Sequence, residues 1–450
     1  MINEEETADL TSSSPGESPD TICSETEFQP ILAEQIDLLV HLAEAVERNP
    51  KSRMSRRIHA AVNEEASDIE DLLEDHDARY NGTFAGLLEI VAALKIFSRV
   101  GYALKIIQVR STKQGILGSK EQAVELTRET ESTLALIETY VRSLLACLRD
   151  EVAAVCPLPQ AGREAGKATF TQDALLQKKL PHTLGVEKSE DVGSQIAGEA
   201  TLFVAALKNF EERFRMRRVE DPAELKQLYE EVCDEQQARF LEAKLQNIQS
   251  RYDAFIRNTT TEQDDADLPA FRYIVGLALQ FSRIVTHLIQ LLDRYRKDPT
   301  RAEVAKAKVT AIVSNEAVIE RVFNYALYFA HRFMVVGKPI ARRLIDKFTT
   351  TETVELDLPD GCILHARPAS MIAKIVVHHG TPVDMTIGTE SCYAGSIMKV
   401  ILLAGNNLKE RRVTFRGDRK PIRDIELLFA HRLGEEGLES LPKELGYLKK

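Results

Sequence analysis

Between Ile31 and about Phe348 the apolar residues recur at intervals of three and four, the period of an amphipathic helix. In ILAEQIDLLVHLAEAVER, Ile31, Ile36, Leu39, Leu42 and Val46 share one broad face, with polar residues between them. The same reading predicts helices over roughly 52–79, 83–111, 119–154, 190–217, 221–258, 267–297 and 301–335. Glycine and proline are scarce inside these stretches, as long helices require. Strand-type alternation is hard to find anywhere in this region.

Residues 157–191 interrupt the pattern with PLPQAGREAGKATF and LPHTLGVEKSED, which supply turn and loop residues. A weak internal similarity spans this break. Ile90–Lys113 aligns without a gap on Ile274–Lys297 and matches eight positions, around Phe97-Ser98-Arg99 and Phe281-Ser282-Arg283. Each is followed by a further helix, carrying Leu136-Ile137-Glu138 or Val318-Ile319-Glu320. The expectation is an all-α region of two related helical bundles, 31–156 and 192–348, joined by a linker at 157–191.

After Phe348 the period changes. TTTETVELDL alternates, placing Val354, Leu356 and Leu358 on one face; a helical stretch runs from Ala366 to His379. Then come strand-like PVDMTIGT, helical SIMKVILLA, strand-like RRVTFRG and a last helix in PIRDIELLFAHRL. This β-α-β-(β)-α-β-α order predicts a small α+β open-faced sandwich over 349–437, with 438–450 as a C-terminal tail.

Composition limits what such a chain does. Its 450 residues suffice for about three domains. The net charge of -11 argues against a nucleic-acid partner, and the absence of Trp argues against a stacking platform for single strands. Eight of those negative charges lie in the first 30 residues, which hold no Lys or Arg. Residues 1–30 therefore read as a disordered acidic tail, with an acidic docking arm or phosphorylation target as its functional reading. Residues 351–450 balance to zero. The six cysteines never form a C-x-x-C pair, which removes support for zinc, redox-pair or disulfide frameworks. The first residues have no basic n-region or apolar core, and no uninterrupted apolar run reaches about 18 residues. A cytoplasmic protein without stable membrane insertion is expected.

Chemistry is promised at one place, Gly361-Cys362-Ile363-Leu364-His365-Ala366-Arg367-Pro368-Ala369-Ser370. A helix is predicted to start within a residue of His365, with Arg367 and Pro368 in its first turn, where a proline costs least. The free N–H groups of Ala366 and Arg367 would then face the imidazole. A phosphoryl group on His365 adds about two negative charges, which those N–H groups, the helix dipole and the Arg367 guanidinium each stabilise. A neutral imidazole nitrogen is a nucleophile near pH 7, and its N–P bond is labile enough to pass the group on. Such a site needs no metal and no cofactor. The competing reading of L-H-x-R-P alone is a capping histidine beside a surface arginine.

Leu364-His-Ala-Arg-Pro-Ala-Ser370 resembles the phosphorylation motif of HPr, the histidine phosphocarrier of the bacterial phosphoenolpyruvate-dependent sugar phosphotransferase system. The resemblance covers about Glu352 to Gly437. Gly395-Ser396-Ile397-Met398-Lys399 resembles the regulatory serine segment of that family, and the 31-residue interval from His365 to Ser396 agrees without a gap. The resemblance implies that His365 accepts a phosphoryl group from enzyme I on Nδ1 and hands it to a sugar-specific IIA domain. It implies further that Ser396 is the target of an HPr kinase, and that Ile397, Met398 and Leu402 form a partner-binding patch. For those three the competing reading is core packing.

Two departures stand out. Gly361-Cys362-Ile363-Leu364 holds two more residues between the turn and the histidine than the family's usual Gly-Leu or Gly-Ile. Arg411, Arg412, Arg416, Arg419, Lys420 and Arg423 stand where many family members carry acids, and suit either a solvated face or a different partner. Elsewhere, adjacent His378 and His379 diverge too far to chelate one ion easily. Asp68, Glu70, Asp71, Glu74 and Asp75 read as a solvated helix face before a metal ladder, and KSRMSRR as a basic helix start. The chain is thus expected to be a phosphocarrier rather than an enzyme, with homo-oligomer formation through helical faces plausible. The alternative is a regulatory scaffold whose HPr-like domain serves as a binding module.

Overall fold

A computed structural model describes residues 23–111, 119–156, 192–214, 216–296 and 303–449. The described chain is mostly helical, with a small four-stranded antiparallel sheet near the C-terminus. It divides into two compact units that interleave in sequence. Of the described residues, the first takes those within 23–102, 136–156, 295–296 and 303–314; the second takes those within 103–111, 119–135, 192–214, 216–294 and 315–449. The expected linker at 157–191 lies outside the described residues.

In the first unit, α1 (Glu25–Glu47) starts where Ser24 and Glu27 form a reciprocal capping box, Ser24 N–H donating to Glu27 Oε2 at 2.9 Å. Helix therefore begins inside the stretch expected as a disordered tail, because Phe28 is buried and packs edge-on against Phe84 at 5.0 Å. The rest of that stretch, residues 1–22, is outside the described residues. Ser55 caps α2 (Arg56–Asp75), and Met54 beside it is fully buried, so KSRMSRR is the anchored start of a helix. The unit is completed by α3 (Ala85–Ser111) up to Tyr102, α4 (Lys120–Val155) from Leu136, and α10 (Glu303–Thr310). Arg142 on α4 donates to the carbonyls of Val46 at 2.9 Å and Asn49 at 3.3 Å, adding a side-chain donor to the backbone ones at the end of α1.

The second unit holds α5 (Val192–Arg213), α6 (Pro222–Val232), α7 (Glu235–Phe255), α8 (Thr260–Asp264) and α9 (Asp267–Arg296). The single helix expected over 221–258 is two, because Asp234 accepts the Gln237 N–H at 2.8 Å and opens a new one. The helix expected over 301–335 ends at Thr310; α11 (Asn315–Glu320) then leads through a π-helical turn, Arg321–Leu327, into α12 (Tyr328–Phe348). That wider turn carries Tyr325, whose buried hydroxyl meets Thr130 at 3.0 Å. Phe281 packs among Tyr325, Phe329 and Phe333, with centroids 5.5 to 5.8 Å away. Helix α9 is long and apolar enough to cross a membrane by length and composition, contrary to the reading of its sequence, but it is largely buried within protein.

The internal similarity falls on α3 and α9, both buried over most of their length. Phe97, Ser98, Phe281 and Ser282 are fully buried. The two arginines reach amide oxygens on neighbouring helices: Arg99 donates to Asn63 at 2.7 Å and Arg283 to Gln246 at 2.6 Å.

The C-terminal part of the second unit runs β1 (Thr351–Asp357), α13 (Ala366–His379), β2 (Val383–Ile387), β3 (Glu390–Tyr393), α14 (Ile397–Asn406), β4 (Arg412–Asp418) and α15 (Arg419–Ala430). The strands lie in the order β1-β4-β2-β3, all neighbours antiparallel. Val383, Met385, Ile387, Val413 and Phe415 point to one face, where they share a core with apolar residues of α13, α14 and α15. The alternate positions Glu355, Asp357, Asp384, Arg412 and Arg416 are exposed. This register explains much of the basic run. Arg412 stands opposite Asp357 and contacts it at 3.1 Å, Arg411 reaches Asp360 at 3.2 Å, and Arg419 reaches Glu352 at 3.3 Å. Nor is 438–449 a tail, since Leu441, Leu445 and Leu448 are buried in the same core.

Candidate functional site

The approach to His365 is a folded loop. Cys362 N–H bonds to Pro359 O at 2.9 Å, closing a turn in which Gly361 has φ 77°, a left-handed value that glycine adopts without strain. Cys362 and Leu364 are then buried while Ile363 between them is exposed. Cys362 and Leu364 thus anchor the loop as a buried pair. Arg432 holds it from the other side, donating to Asp360 O at 3.0 Å and accepting the Cys362 thiol at its own carbonyl, 3.7 Å away.

His365 is the N-cap of α13, with extended backbone at φ -95° and ψ -167°. Its Nδ1 accepts the backbone N–H of Arg367 at 3.3 Å. Ala366 and Arg367 occupy the first two helical positions, and Pro368 at the third has no N–H to satisfy. The Arg367 side chain is exposed and, among the described residues, no ion pair holds its guanidinium. An imidazole nitrogen and a helix N-terminus therefore meet at one accessible point, with the exposed Arg367 two residues along the chain, an arrangement suited to an anion.

Glu435 also belongs to this site, which inspection of the sequence missed. Its Oε1 lies 2.8 Å from His365 Nε2. What brings it there is a turn after α15 in which Arg432, Leu433 and Gly434 all have positive φ, at 51°, 54° and 69°. Two non-glycine residues in that region are uncommon, and Leu433 is held there by full burial. The sequence signal was the Gly434-Glu435-Glu436-Gly437 run, which reads only as a loop.

The other predicted residues fall nearby or elsewhere. Ser396 is the N-cap of α14, is partly exposed, and makes no side-chain capping bond. Ile397, Met398 and Leu402 are exposed on α14, which packs against α13, so core packing does not account for them. Exposed Ile363, two residues before the histidine, is an apolar neighbour the motif did not flag.

His378 and His379 sit at the far end of α13 with their rings nearly perpendicular, at 80°. His379 Nε2 contacts Asp424 at 2.8 Å, Tyr447 donates to the same oxygen at 2.6 Å, and His378 stacks on Tyr447. Burial and the neighbouring His379 push the His378 pKa down. Burial opposes ionisation of Asp424, but the hydrogen bonds from His379 and Tyr447 outweigh it and hold the carboxyl below its ordinary value. In the acidic face of α2, Glu70 pairs with Lys95 and Glu74 with Arg79, and no group of three metal-ligating residues is assembled among the described residues.

Comparison of the chain with family models, curated proteins and solved structures finds no match.

Proposed function

We propose that this chain is a cytoplasmic phosphocarrier whose C-terminal part is an open-faced sandwich of HPr type, with His365 as the phosphoryl acceptor. The observation that carries the reading is the acceptance of the Arg367 N–H by His365 Nδ1 at the N-cap of α13. That hydrogen bond marks Nδ1 as the nitrogen with a free lone pair. The β-α-β-β-α-β-α order and the sheet order β1-β4-β2-β3 support the fold assignment.

In the transfer, the Nδ1 lone pair attacks phosphorus, the N–P bond forms and the bond to the donor breaks. The donor in this reading is phosphorylated enzyme I and the acceptor a IIA-type domain. Once the phosphoryl group replaces the lone pair, the N–H groups of Ala366 and Arg367 and the Arg367 guanidinium are left to meet its oxygens. Exposed Ile363, Ile397, Met398 and Leu402 offer the apolar surface that a succession of partners would press against. Ser396, with no capping bond, is the proposed HPr kinase target. The helical region is assigned no reaction of its own.

The test is phosphorylation with phosphoenolpyruvate and enzyme I, comparing the native chain with His365→Ala. Acid-labile phosphate that requires His365 supports the carrier, and equal labelling of both proteins, or of neither, refutes it. For Ser396, ATP and an HPr kinase should give an acid-stable phosphate that Ser396→Ala abolishes.

A further inference from the structure

The Glu435 carboxylate faces the other nitrogen of the same ring. Its Oε1 is shut off from solvent and completes no hydrogen bond among the described groups, and His365 Nε2 lies 2.8 Å away. A buried carboxylate oxygen requires a donor, and an unprotonated Nε2 would set lone pair against lone pair. Nδ1, meanwhile, already accepts from Arg367 N–H and has no room for a proton of its own. The two contacts agree on one neutral tautomer, with the proton on Nε2 and the lone pair on Nδ1.

Resting on the carrier reading, we infer that Glu435 is a positioning residue for phosphoryl transfer, which keeps the proton on Nε2 of His365 through both halves of the reaction. In the first half, Nδ1 attacks phosphorus and the donor leaves with the electron pair of its broken bond. The ring becomes a cation with phosphorus on Nδ1 and hydrogen on Nε2, and Glu435 stands against that charge. In the second half, the N–P electrons return to Nδ1 as the next acceptor takes the phosphoryl group. The leaving group is then neutral imidazole with its Nε2 proton in place, so no proton is exchanged in either step. Carboxylates that accept the remote N–H of a reacting or ligating histidine act in this way elsewhere, fixing the tautomer and the plane of the ring.

The turn that delivers Glu435 is built to hold it. Leu433 is buried, and the neighbouring charges are tied to each other: Arg432 contacts Glu436 at 3.3 Å and donates to Asp360 O at 3.0 Å. Glu435 is thus the acid of the Glu435-Glu436 pair beside the ring, and the backbone N–H of Arg367 is on the opposite, Nδ1 side.

The experiment uses the full chain with 15N-labelled histidine, phosphorylated with potassium phosphoramidate and separately with enzyme I. The variants are Glu435→Ala, Glu435→Asp and, as a control, Glu436→Gln. Imidazole 15N shifts should place the native proton on Nε2, and native labelling should occur on Nδ1. Glu435→Ala should mix the tautomers, divide chemical labelling between the two nitrogens and slow transfer by enzyme I about tenfold, the lower end of what loss of such a partner costs. Glu435→Asp should recover part of each property, and Glu436→Gln should match the native chain. A Glu435→Ala protein with unchanged tautomer, nitrogen preference and rate overturns the role of Glu435 alone. A native chain that accepts phosphate on His365 from neither reagent overturns the carrier reading, and the role in transfer with it.

Discussion

Gly434→Ala tests whether the turn carrying Glu435 is as constrained as its geometry indicates. Gly434 has φ 69°, and a Cβ added there would lie 2.6 Å from the Sδ and 2.7 Å from the Cε of Met371. Met371 is itself buried on α13, so its side chain cannot swing into solvent. The left-handed backbone costs an alanine about 1 kcal/mol, and overpacking a buried contact adds roughly 1–3. A total of about 3 kcal/mol follows, or roughly a hundredfold in an opening equilibrium. Gly361→Ala is the matched control, since Gly361 has φ 77° but nothing within 4 Å of its added Cβ, and it should cost only the backbone share.

The assay is amide hydrogen exchange of the intact chain, read at the β4 peptide containing Val413 and Phe415, both fully buried. Exchange there should accelerate far more in Gly434→Ala than in Gly361→Ala. Combining Gly434→Ala with Met371→Ala should cost less than the sum of the two changes, because the contact that couples them is gone. Equal effects of the two glycine substitutions, or strict additivity with Met371→Ala, would refute the proposed packing.

Three further outcomes are expected. Leu445→Ala empties a fully buried position in the sheet core and should cost about 2–5 kcal/mol, seen as faster exchange in β4; no effect would return 438–449 to the status of a tail. Asp424→Asn should weaken the end of α13 by roughly 1–3 kcal/mol at neutral pH. The Asp424 carboxyl is held below its ordinary value, so its contribution is complete above the unfolded pKa of about 3.9 and fades as pH falls through the lower folded one. Urea titrations of both proteins should therefore diverge at pH 7 and converge in acid. Tyr325→Phe removes the buried partner of Thr130 and should cost about 1 kcal/mol, measurable as faster exchange in α12, whereas a stabilised variant would contradict that hydrogen bond.

Much of this protein is determined by local sequence. Helical period and caps are properties of neighbouring residues, so most of the helices could be placed from them, and Ala366–His379 was bounded to the residue. The β-α-β-β-α-β-α order was legible for the same reason: period two and period 3.6 are distinguishable within a few residues. So was the helix start at His365, because a helix N-terminus forms from adjacent positions. Errors came where local pattern is silent. Asp234 divides a continuous helical period by offering a better cap, and Leu441, Leu445 and Leu448 read as a tail because what buries them lies far away in sequence.

Tertiary structure alone decided the rest. Strand order depends on which surfaces are buried together, and the basic run from Arg411 became intelligible only when β4 was paired with the acids of β1. Glu435 lies 70 positions from His365 and meets it only because three successive residues adopt left-handed backbone under the pull of a buried leucine. A sequence specifies its local conformations directly. Contacts between distant residues follow from the packing that all of those conformations reach together, and there the second nitrogen of His365 acquired its carboxylate.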